Sequence, residues 1–150
     1  MPLTGWEWSD TEAKFDAKTQ RIAKKMEDEL SYKIIGAAIE VHKILGGPGL
    51  LEGIYESCLC QELVLRGLKV QRQVAVPIIY KGKVVRDPLI IDILVEDTLI
   101  VEVKATEKDC PLYKVQLLTY LRLTNLKLGM LINFGRESIK EGISRVVNGL

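Results

Sequence analysis

The chain has one histidine and three cysteines among its 150 residues. An odd number of cysteines indicates no disulfide framework. Cys58 and Cys60 are two residues apart on a predicted helix, so they face different directions and lack further Cys or His ligands nearby. His42 falls on the first predicted helix, where we expect a partly buried structural role. The cysteines are therefore expected to be reduced and packed as small hydrophobic side chains in a cytoplasmic protein.

A strong net charge and long apolar runs are also absent. The net charge is +1, whereas many nucleic-acid-binding proteins are far more basic, so tight non-specific DNA binding is disfavoured unless basic residues gather on one face. No apolar run approaches the roughly 20 residues of a membrane span, and residues 1–10 lack the basic start and apolar stretch of a signal peptide. We expect no membrane association. A Gly-rich phosphate loop of the Walker type is missing, which excludes an ATP motor.

The patterning predicts one α/β domain. Residues 1–29 are polar and weakly patterned and form a predicted N-terminal extension, in which Trp6 and Trp8 could dock or the chain could fray. Residues 30–150 form the predicted domain, with Ser31 capping its first helix. Pro77 implies an edge strand or a bulge. The predicted helices are residues 32–45, 51–66, 111–123 and 138–147, and the predicted strands are residues 70–80, 83–86, two strands around Asp92 and Glu102, and residues 127–133.

Charged side chains interrupt the two strands around an acidic turn. Asp92 lies in the first strand, and Glu102 and Lys104 lie in the second. Buried strands are normally filled with Val, Ile and Leu, and a carboxylate placed among them needs a strong partner. Glu102 and Lys104 are two residues apart and share one face of their strand. The arrangement favours a divalent-metal site with a lysine beside it, although a structural ion pair between Lys104 and Glu102 is the alternative.

The length of the turn decides whether the two carboxylates meet. A two-residue turn would set Asp92 opposite Val101, on the wrong face. A three-residue turn at residues 96–98 pairs Val95 with Leu99 and sets Asp92 opposite Glu102. We therefore predict an odd-length turn, or a bulge with the same effect.

Two motifs carry a family resemblance. Asp92 followed by Glu102-x-Lys104 on the next strand resembles the core of the PD-(D/E)XK nuclease superfamily, with Ile91 where that motif often has Pro. The segment Gly49-Leu-Leu-Glu-Gly-Ile-Tyr55 fits the GxxExxY pattern that names a family of small proteins in this superfamily. Further similar segments are residues 42–49, 62–68, 80–82, 101–105, 116–124 and 129–135, so the resemblance spans about residues 30–135.

The resemblance implies a restriction-endonuclease-like core, with a central mixed β-sheet flanked by helices. It implies a site for one or two Mg²⁺ or Mn²⁺ ions held by Asp92, Glu102 and Glu52, to which the backbone carbonyl of Val103 adds a ligand. Oxygen donors of this kind suit hard cations. Without the resemblance, Glu52 would be explained by the helix dipole, because it lies in the first turn of its helix. Lys104 would orient a water molecule and stabilise charge on the phosphate.

Three further residues border the implied site. Gln116 and Tyr120 lie one helical turn apart and match the Gln-x-x-x-Tyr of RecB-type members, where the pair helps to hold the substrate backbone and the attacking water. Those members often carry a His three residues before the Gln, and here Tyr113 takes that place. Tyr55 shares a helical face with Glu52 and is a candidate for substrate positioning, with a core aromatic role as the alternative.

The implied activity is metal-dependent hydrolysis of phosphodiester bonds in DNA, with RNA as the less favoured substrate. Two other functions stay open at this point. The chain could be a non-catalytic module that binds nucleic acid or protein and keeps the nuclease fold. It could also act as an accessory subunit beside a partner protein, or as a homo-oligomer.

Overall fold

The structure is a computed structural model and describes residues 17–149. The predictions for Trp6 and Trp8 lie outside these residues. The described chain forms helices α1 (Ala17–Ile44), α2 (Glu52–Leu65) and α3 (Pro111–Thr124), with a 3₁₀ turn at Ile139–Gly142. Its strands are β1 (Val70–Tyr80), β2 (Lys83–Val95), β3 (Leu99–Lys104), β4 (Leu128–Asn133) and β5 (Ile143–Val147).

The five strands form one mixed sheet in the order β1-β2-β3-β4-β5. Strands β3 and β4 are parallel and are joined through α3, while the other neighbouring pairs are antiparallel. The register pairs Val95 with Leu99 across the turn, which confirms the predicted three-residue turn at residues 96–98. The predicted architecture, a central mixed sheet flanked by helices, is confirmed.

Each face of the sheet packs against its own helices. On one face, alternate residues of β2 and β3 pack with α1 and α2, and on the other face the intervening residues pack with α3. This alternation follows from the period of two in a strand and explains why residues 93–95 of β2 and 99–101 of β3 are apolar on both faces. The first face contributes Ile93, Val95, Leu99, Val101 and Val103, and the second contributes Leu94 and Ile100.

Helix α1 is longer at its start than the sequence predicted. It begins at Ala17 rather than at residue 32, so the predicted N-cap at Ser31 is wrong. The Ser31 hydroxyl instead donates to the Glu27 carbonyl one turn earlier, within a continuous helix. Good helix formers such as Ala, Gln, Lys and Glu fill the added turns, and their polarity does not prevent helix formation. Although α1 has 28 residues, no helix within residues 17–149 is apolar enough over a sufficient length to cross a membrane.

The predicted closing helix over residues 138–147 is wrong. A 3₁₀ turn ends at Gly142, and Ile143–Val147 forms β5 antiparallel to β4. The backbone of β4 offers a hydrogen-bonding edge that a local helix would leave unpaired. Ile143, Val146 and Val147 are β-branched and suit that edge.

Strand β2 is also longer than predicted. The separate predicted strands at residues 83–86 and around Asp92 are one strand, Lys83–Val95. The register with β1 shifts between Val76 and Ile78, so Pro88 lies where the ladder is already interrupted and its missing N–H is tolerated. The same shift spans Pro77 of the edge strand β1, which confirms the predicted edge position and bulge.

Candidate active site

The two central strands separate where the carboxylates lie. Strands β2 and β3 pair over three positions and stop at Ile93 opposite Val101, just before Asp92 and Glu102. This separation of β2 and β3 at Asp92 and Glu102 is here named the fork. Beyond it, hydrogen bonds to the two carboxyl groups replace those of the backbone ladder. The Asp92 amide donates to Glu102 Oε1 at 3.0 Å, and the Val103 amide donates to Asp92 Oδ2 at 2.8 Å. The structure therefore brings Asp92 and Glu102 together, as the turn length predicted.

The two carboxyl groups share a poorly hydrated space, and Glu102 is only 5% exposed. Burial, followed by the charge of Asp92, raises the pKa of Glu102 to about 8. Burial also raises the pKa of Asp92, which the Val103 amide partly offsets. A hydrogen bond between the two side chains raises the Glu102 pKa and lowers that of Asp92. In the absence of a cation, Glu102 thus holds a proton and donates it to Asp92 near neutral pH.

Lys104 is half-buried at the end of β3, on the same strand face as Glu102. Its Nζ lies over the ring of Tyr113 on α3, 4.6 Å from the centroid. Its positive charge lowers the pKa values of Asp92, Glu102 and Glu52, although burial outweighs it in each case. The Lys104 carbonyl accepts from the Phe134 amide at 2.8 Å, which fixes the strand end against the segment after β4.

Glu52 is the first residue of α2 and has an exposed side chain. Partial burial, opposed by Lys104 and assisted by Asp92 and Glu56, raises its pKa. Glu52 is therefore within electrostatic reach of the fork. Across residues 17–149, however, no three His, Cys, Asp or Glu side chains are grouped closely enough to hold a metal ion by themselves. The predicted trio of Glu52, Asp92 and Glu102 is thus not assembled as a closed cluster.

The oxygen donors present at the fork still suit a divalent cation. The Val103 amide points toward β2, and a residue in a strand directs its N–H and C=O to the same side, so its carbonyl also faces the fork. Two carboxylates, of Asp92 and Glu102, and this carbonyl match the chemistry of Mg²⁺. That ion commonly keeps several water molecules and binds through one or two carboxylates and substrate phosphates. The residues therefore fit Mg²⁺ or Mn²⁺.

Tyr55 lies in the core and is fully buried. Its ring stacks on Phe134, with centroids 4.8 Å apart. Its hydroxyl donates to the Gly47 carbonyl at 2.7 Å and accepts from the Leu50 amide at 3.2 Å. The loop so held lines one side of a cleft of about 650 Å³ whose other side includes Ala105, next to Lys104. Tyr55 can thus influence a substrate only through this loop.

The Gln-x-x-x-Tyr pair lies on α3 beside the fork. Tyr120 is 8% exposed, and burial, followed by the charges of Glu102 and Asp92, raises its pKa. Gln116 is exposed, and its side chain makes no hydrogen bond within the described part of the chain. Tyr120 is therefore placed close to the carboxylates, and the Gln116 amide is available to an external group.

A second polar cluster was missed by the sequence reasoning. Glu56 is 6% exposed and accepts from Arg72 Nη2 at 2.7 Å and from Gln73 Nε2 at 2.8 Å. Its charge raises the pKa of Asp92. Gln73 lies between Arg72, which pairs with Ile93, and Val74, which pairs with Ile91, and it has a positive φ of 51°. A signal existed, because Glu52 and Glu56 are like charges one helical turn apart, a destabilising pair unless other groups compensate.

The comparisons with known proteins give one family. A family model described as the PD-(D/E)XK nuclease superfamily matches residues 28–146. This range includes the fork, α3 and nearly all of β5. No curated protein and no solved structure matches the chain.

Proposed function

Because this chain belongs to the PD-(D/E)XK nuclease superfamily and has a restriction-endonuclease-like α/β core, we propose that it is a divalent-metal-dependent nuclease. The proposed substrate is DNA, with RNA less favoured. The observation that carries the proposal is the fork, where Asp92 and Glu102 face each other with Lys104 beside them. A buried, proton-sharing acid pair is costly for a purely structural strand pair and suits a cation site.

In this proposal, Asp92, Glu102 and the Val103 carbonyl hold Mg²⁺ or Mn²⁺, with Glu52 as a further carboxylate. The ion, when bound, polarises the scissile phosphate and lowers the pKa of a bound water molecule. The pair must lose the proton that it shares, so binding is favoured as pH rises. Orienting hydrogen bonds from the Asp92 and Val103 amides hold one oxygen of each carboxylate in place.

Lys104 is the proposed electrostatic catalyst. Its ammonium is held over Tyr113 and is attracted to the carboxylates, so it is oriented before substrate arrives. A pre-oriented cation stabilises the charge that develops on a phosphate in the transition state. Gln116 and Tyr120 are proposed to hold the substrate backbone from α3, where Gln116 has free hydrogen-bonding groups.

We also propose membership of the GxxExxY group within the superfamily. The three defining positions have separate local roles that support it. Gly49 lies in the loop before α2 with φ +115°, a conformation that favours glycine. Glu52 starts α2 within reach of the fork, and Tyr55 fastens the same loop to the core.

A binding module or accessory subunit is the second candidate. It is favoured by the protonated Asp92–Glu102 pair and by the absence of a closed three-ligand cluster within residues 17–149. In that case the fold would bind nucleic acid or a partner protein, or would self-associate, without cleavage.

The test is a cleavage panel on single-stranded, duplex and branched DNA and RNA with Mg²⁺ or Mn²⁺. Asp92→Ala should abolish cleavage, and Asp92→Asn should reduce it strongly. Asp97→Asn removes the same charge from the neighbouring turn and should leave cleavage unchanged. Equal cleavage by the wild type and Asp92→Ala would identify a contaminant and favour the binding module.

A further inference from the structure

Strands β1 and β2 continue well past the rest of the sheet. Strand β3 pairs with β2 only as far as Ile93, while the β1–β2 ladder continues to Tyr80 opposite Lys83. The end of this hairpin, residues 78–88, is here named the arm. Every residue from 79 to 88 is exposed. A two-stranded hairpin that extends past the core adds little to the stability of the fold.

The arm has a defined shape. Its two-residue turn, Lys81-Gly82, has positive φ at both positions, 49° and 79°, as a type I′ turn requires. Two register shifts put extra residues into β2. Bulges of this kind bend the strand and increase the twist of the hairpin. The result is a twisted ribbon that projects from the same strand that carries Asp92.

The chemistry of the arm is basic and aromatic. The arm contains three basic residues, Lys81, Lys83 and Arg86, and one acidic residue, Asp87. The net charge of this short segment is therefore more positive than that of the whole chain. No acidic side chain within residues 17–149 forms a salt bridge to any of the three. Tyr80 is 63% exposed, and Lys81 Nζ lies 5.5 Å from the centroid of its ring. Unpaired cations beside an exposed ring suit phosphates and sugars.

Lys83 and Arg86 share the side of the sheet that carries the site. Opposed residues of an antiparallel pair point to one face, so Tyr80 and Lys83 go together, as do Ile78 and Arg86. Alternation along β1 places Tyr80 on the face of Val76, which packs in the core cluster of α3. Glu102 and Lys104 lie on this same face.

We propose that the arm binds the phosphate backbone of a nucleic-acid duplex at a distance from the scissile bond, an inference that rests on the proposed nuclease function. From Asp92 to Lys83 an extended strand reaches at most about 30 Å. One turn of duplex DNA is about 34 Å. The end of the arm can thus contact the duplex up to nearly one turn away from the site. A two-stranded ribbon also fits the major groove.

A second copy of the chain fits the arm less well. The apolar side chains Ile79, Val84 and Val85 are 50%, 62% and 52% exposed and could pack in a dimer. A symmetric arm-to-arm contact, however, would bring two net-positive arms together, and like charges oppose such pairing. A nucleic acid is a polyanion, so its binding to the arm meets no such charge repulsion.

The experiment compares duplex binding by two charge-matched triple variants in the presence of a chelator. K81Q/K83Q/R86Q removes the arm charges, and K18Q/R21Q/K25Q removes the same charge from exposed positions on α1. The arm variant should bind a duplex of about 30 base pairs roughly 10- to 100-fold more weakly, and its salt slope should fall by about 2 to 3. The α1 variant should bind like the wild type.

A single substitution tests the proposal even if the triple variant does not fold. Lys81→Asn creates the Asn-Gly sequence that type I′ turns prefer, so it should keep or stabilise the hairpin while removing one charge. It should lower the salt slope by about 1. An unchanged slope in Lys81→Asn, or equal losses in both triple variants, would overturn the proposal.

The outcomes also distinguish failure of the arm proposal from failure of the proposed nuclease function. If cleavage of short duplexes depends on Asp92 but the arm variants bind long duplexes normally, the arm proposal is wrong and the nuclease stands. If no cleavage depends on Asp92 but the arm variants lose binding, the proposed nuclease function fails and the arm stands. A change of oligomeric state in the arm variants without a change in duplex binding would overturn the proposal in favour of a second copy.

Discussion

Asp92 and Glu102 each bind the opposite strand: the Glu102 side chain accepts the Asp92 amide, and the Asp92 side chain accepts the Val103 amide. At the point where β2 and β3 separate, the two carboxyl groups thus accept hydrogen bonds from backbone amides in place of backbone carbonyls. Without a cation, the raised pKa of Glu102 favours a proton shared between the two carboxyl groups. Proton, cation and strand separation are therefore linked at one position in the sheet.

The first prediction concerns stability without metal. The pKa of Glu102 is about 8, above its ordinary 4.5. The folded state therefore binds this proton more tightly than the unfolded chain. That stabilisation is fully present below about pH 4.5 and is lost as pH rises through about 8. With a chelator, the free energy of unfolding should fall across this window, with a slope of at most about 1.4 kcal/mol per pH unit.

Glu102→Gln should remove most of this pH dependence and should be more stable than the wild type above pH 8. Urea unfolding at several pH values measures both effects. Glu107→Gln, at an exposed glutamate, is the control and should follow the wild-type curve. Parallel curves for Glu102→Gln and the wild type would show that Glu102 is not the titrating group.

The second prediction is stabilisation by metal. Mg²⁺ or Mn²⁺ should raise the melting temperature, because a cation bound only by the folded state stabilises it by about 2.7 kcal/mol at 100 times its Kd. The rise should shrink in Asp92→Asn and should grow with pH in the wild type, because the shared proton competes with the cation. Differential scanning fluorimetry measures it. An equal rise in both proteins would mean that the ion binds elsewhere.

The third prediction concerns Lys104, and it rests on the proposed function. Lys104→Ala should lower kcat by about 10²–10³ while leaving DNA binding nearly intact, because a contact made mainly in the transition state is lost. Gln116→Ala should have a smaller effect through substrate positioning. Single-turnover cleavage and equilibrium binding separate the two steps. A Lys104→Ala variant that loses binding and keeps its cleavage rate at saturation would assign the lysine to substrate binding instead.

The fourth prediction concerns the ring beneath that lysine. Tyr113→Leu should lower kcat about 3- to 30-fold, because a cation–π contact is worth about 0.5–2 kcal/mol. Tyr113→Phe keeps the ring and should retain nearly full activity. In a Lys104→Ala background, Tyr113→Leu should have little further effect. Additive losses in the double variant would show that Tyr113 acts independently of Lys104.

The fifth prediction concerns Tyr55, whose hydroxyl joins the loop before α2 to the core. Tyr55→Phe keeps the stacking on Phe134 but leaves the Gly47 carbonyl and the Leu50 amide without this partner. The free energy of unfolding should fall by about 1–2 kcal/mol. Tyr32→Phe is the matched control, because Tyr32 is 80% exposed. Urea unfolding of the three proteins measures the difference.

Local sequence was enough to predict the centre of the sheet. The alternation around residues 96–98 requires an odd-length turn, or a bulge with the same effect, to put Asp92 and Glu102 on one face, and the pairing of Val95 with Leu99 agrees with it. Elements at the periphery depend on partners that a local pattern does not contain. Strand β5 follows from the free edge of β4, and the early start of α1 follows from helix propensity that a polar segment conceals.

The electrostatics of the site were the least predictable part. The partnership of Glu56 with Arg72 and Gln73 joins α2 to β1 across 16 and 17 residues of sequence. Only the folded chain brings these side chains together. Closeness of Asp92 and Glu102 could be inferred from register, but the proton that they share depends on burial by α3 and by the neighbouring strands.

The buried acid pair at the fork affects which substitutions selection would favour in this chain. Buried acid pairs are often replaced by well-packed apolar residues without loss of stability, and sometimes with a gain. Selection for thermal stability alone should therefore favour joint replacement of Asp92 and Glu102, because replacing one of them leaves the other buried without its partner. Retaining both carboxylates requires a selective pressure that thermal stability does not supply.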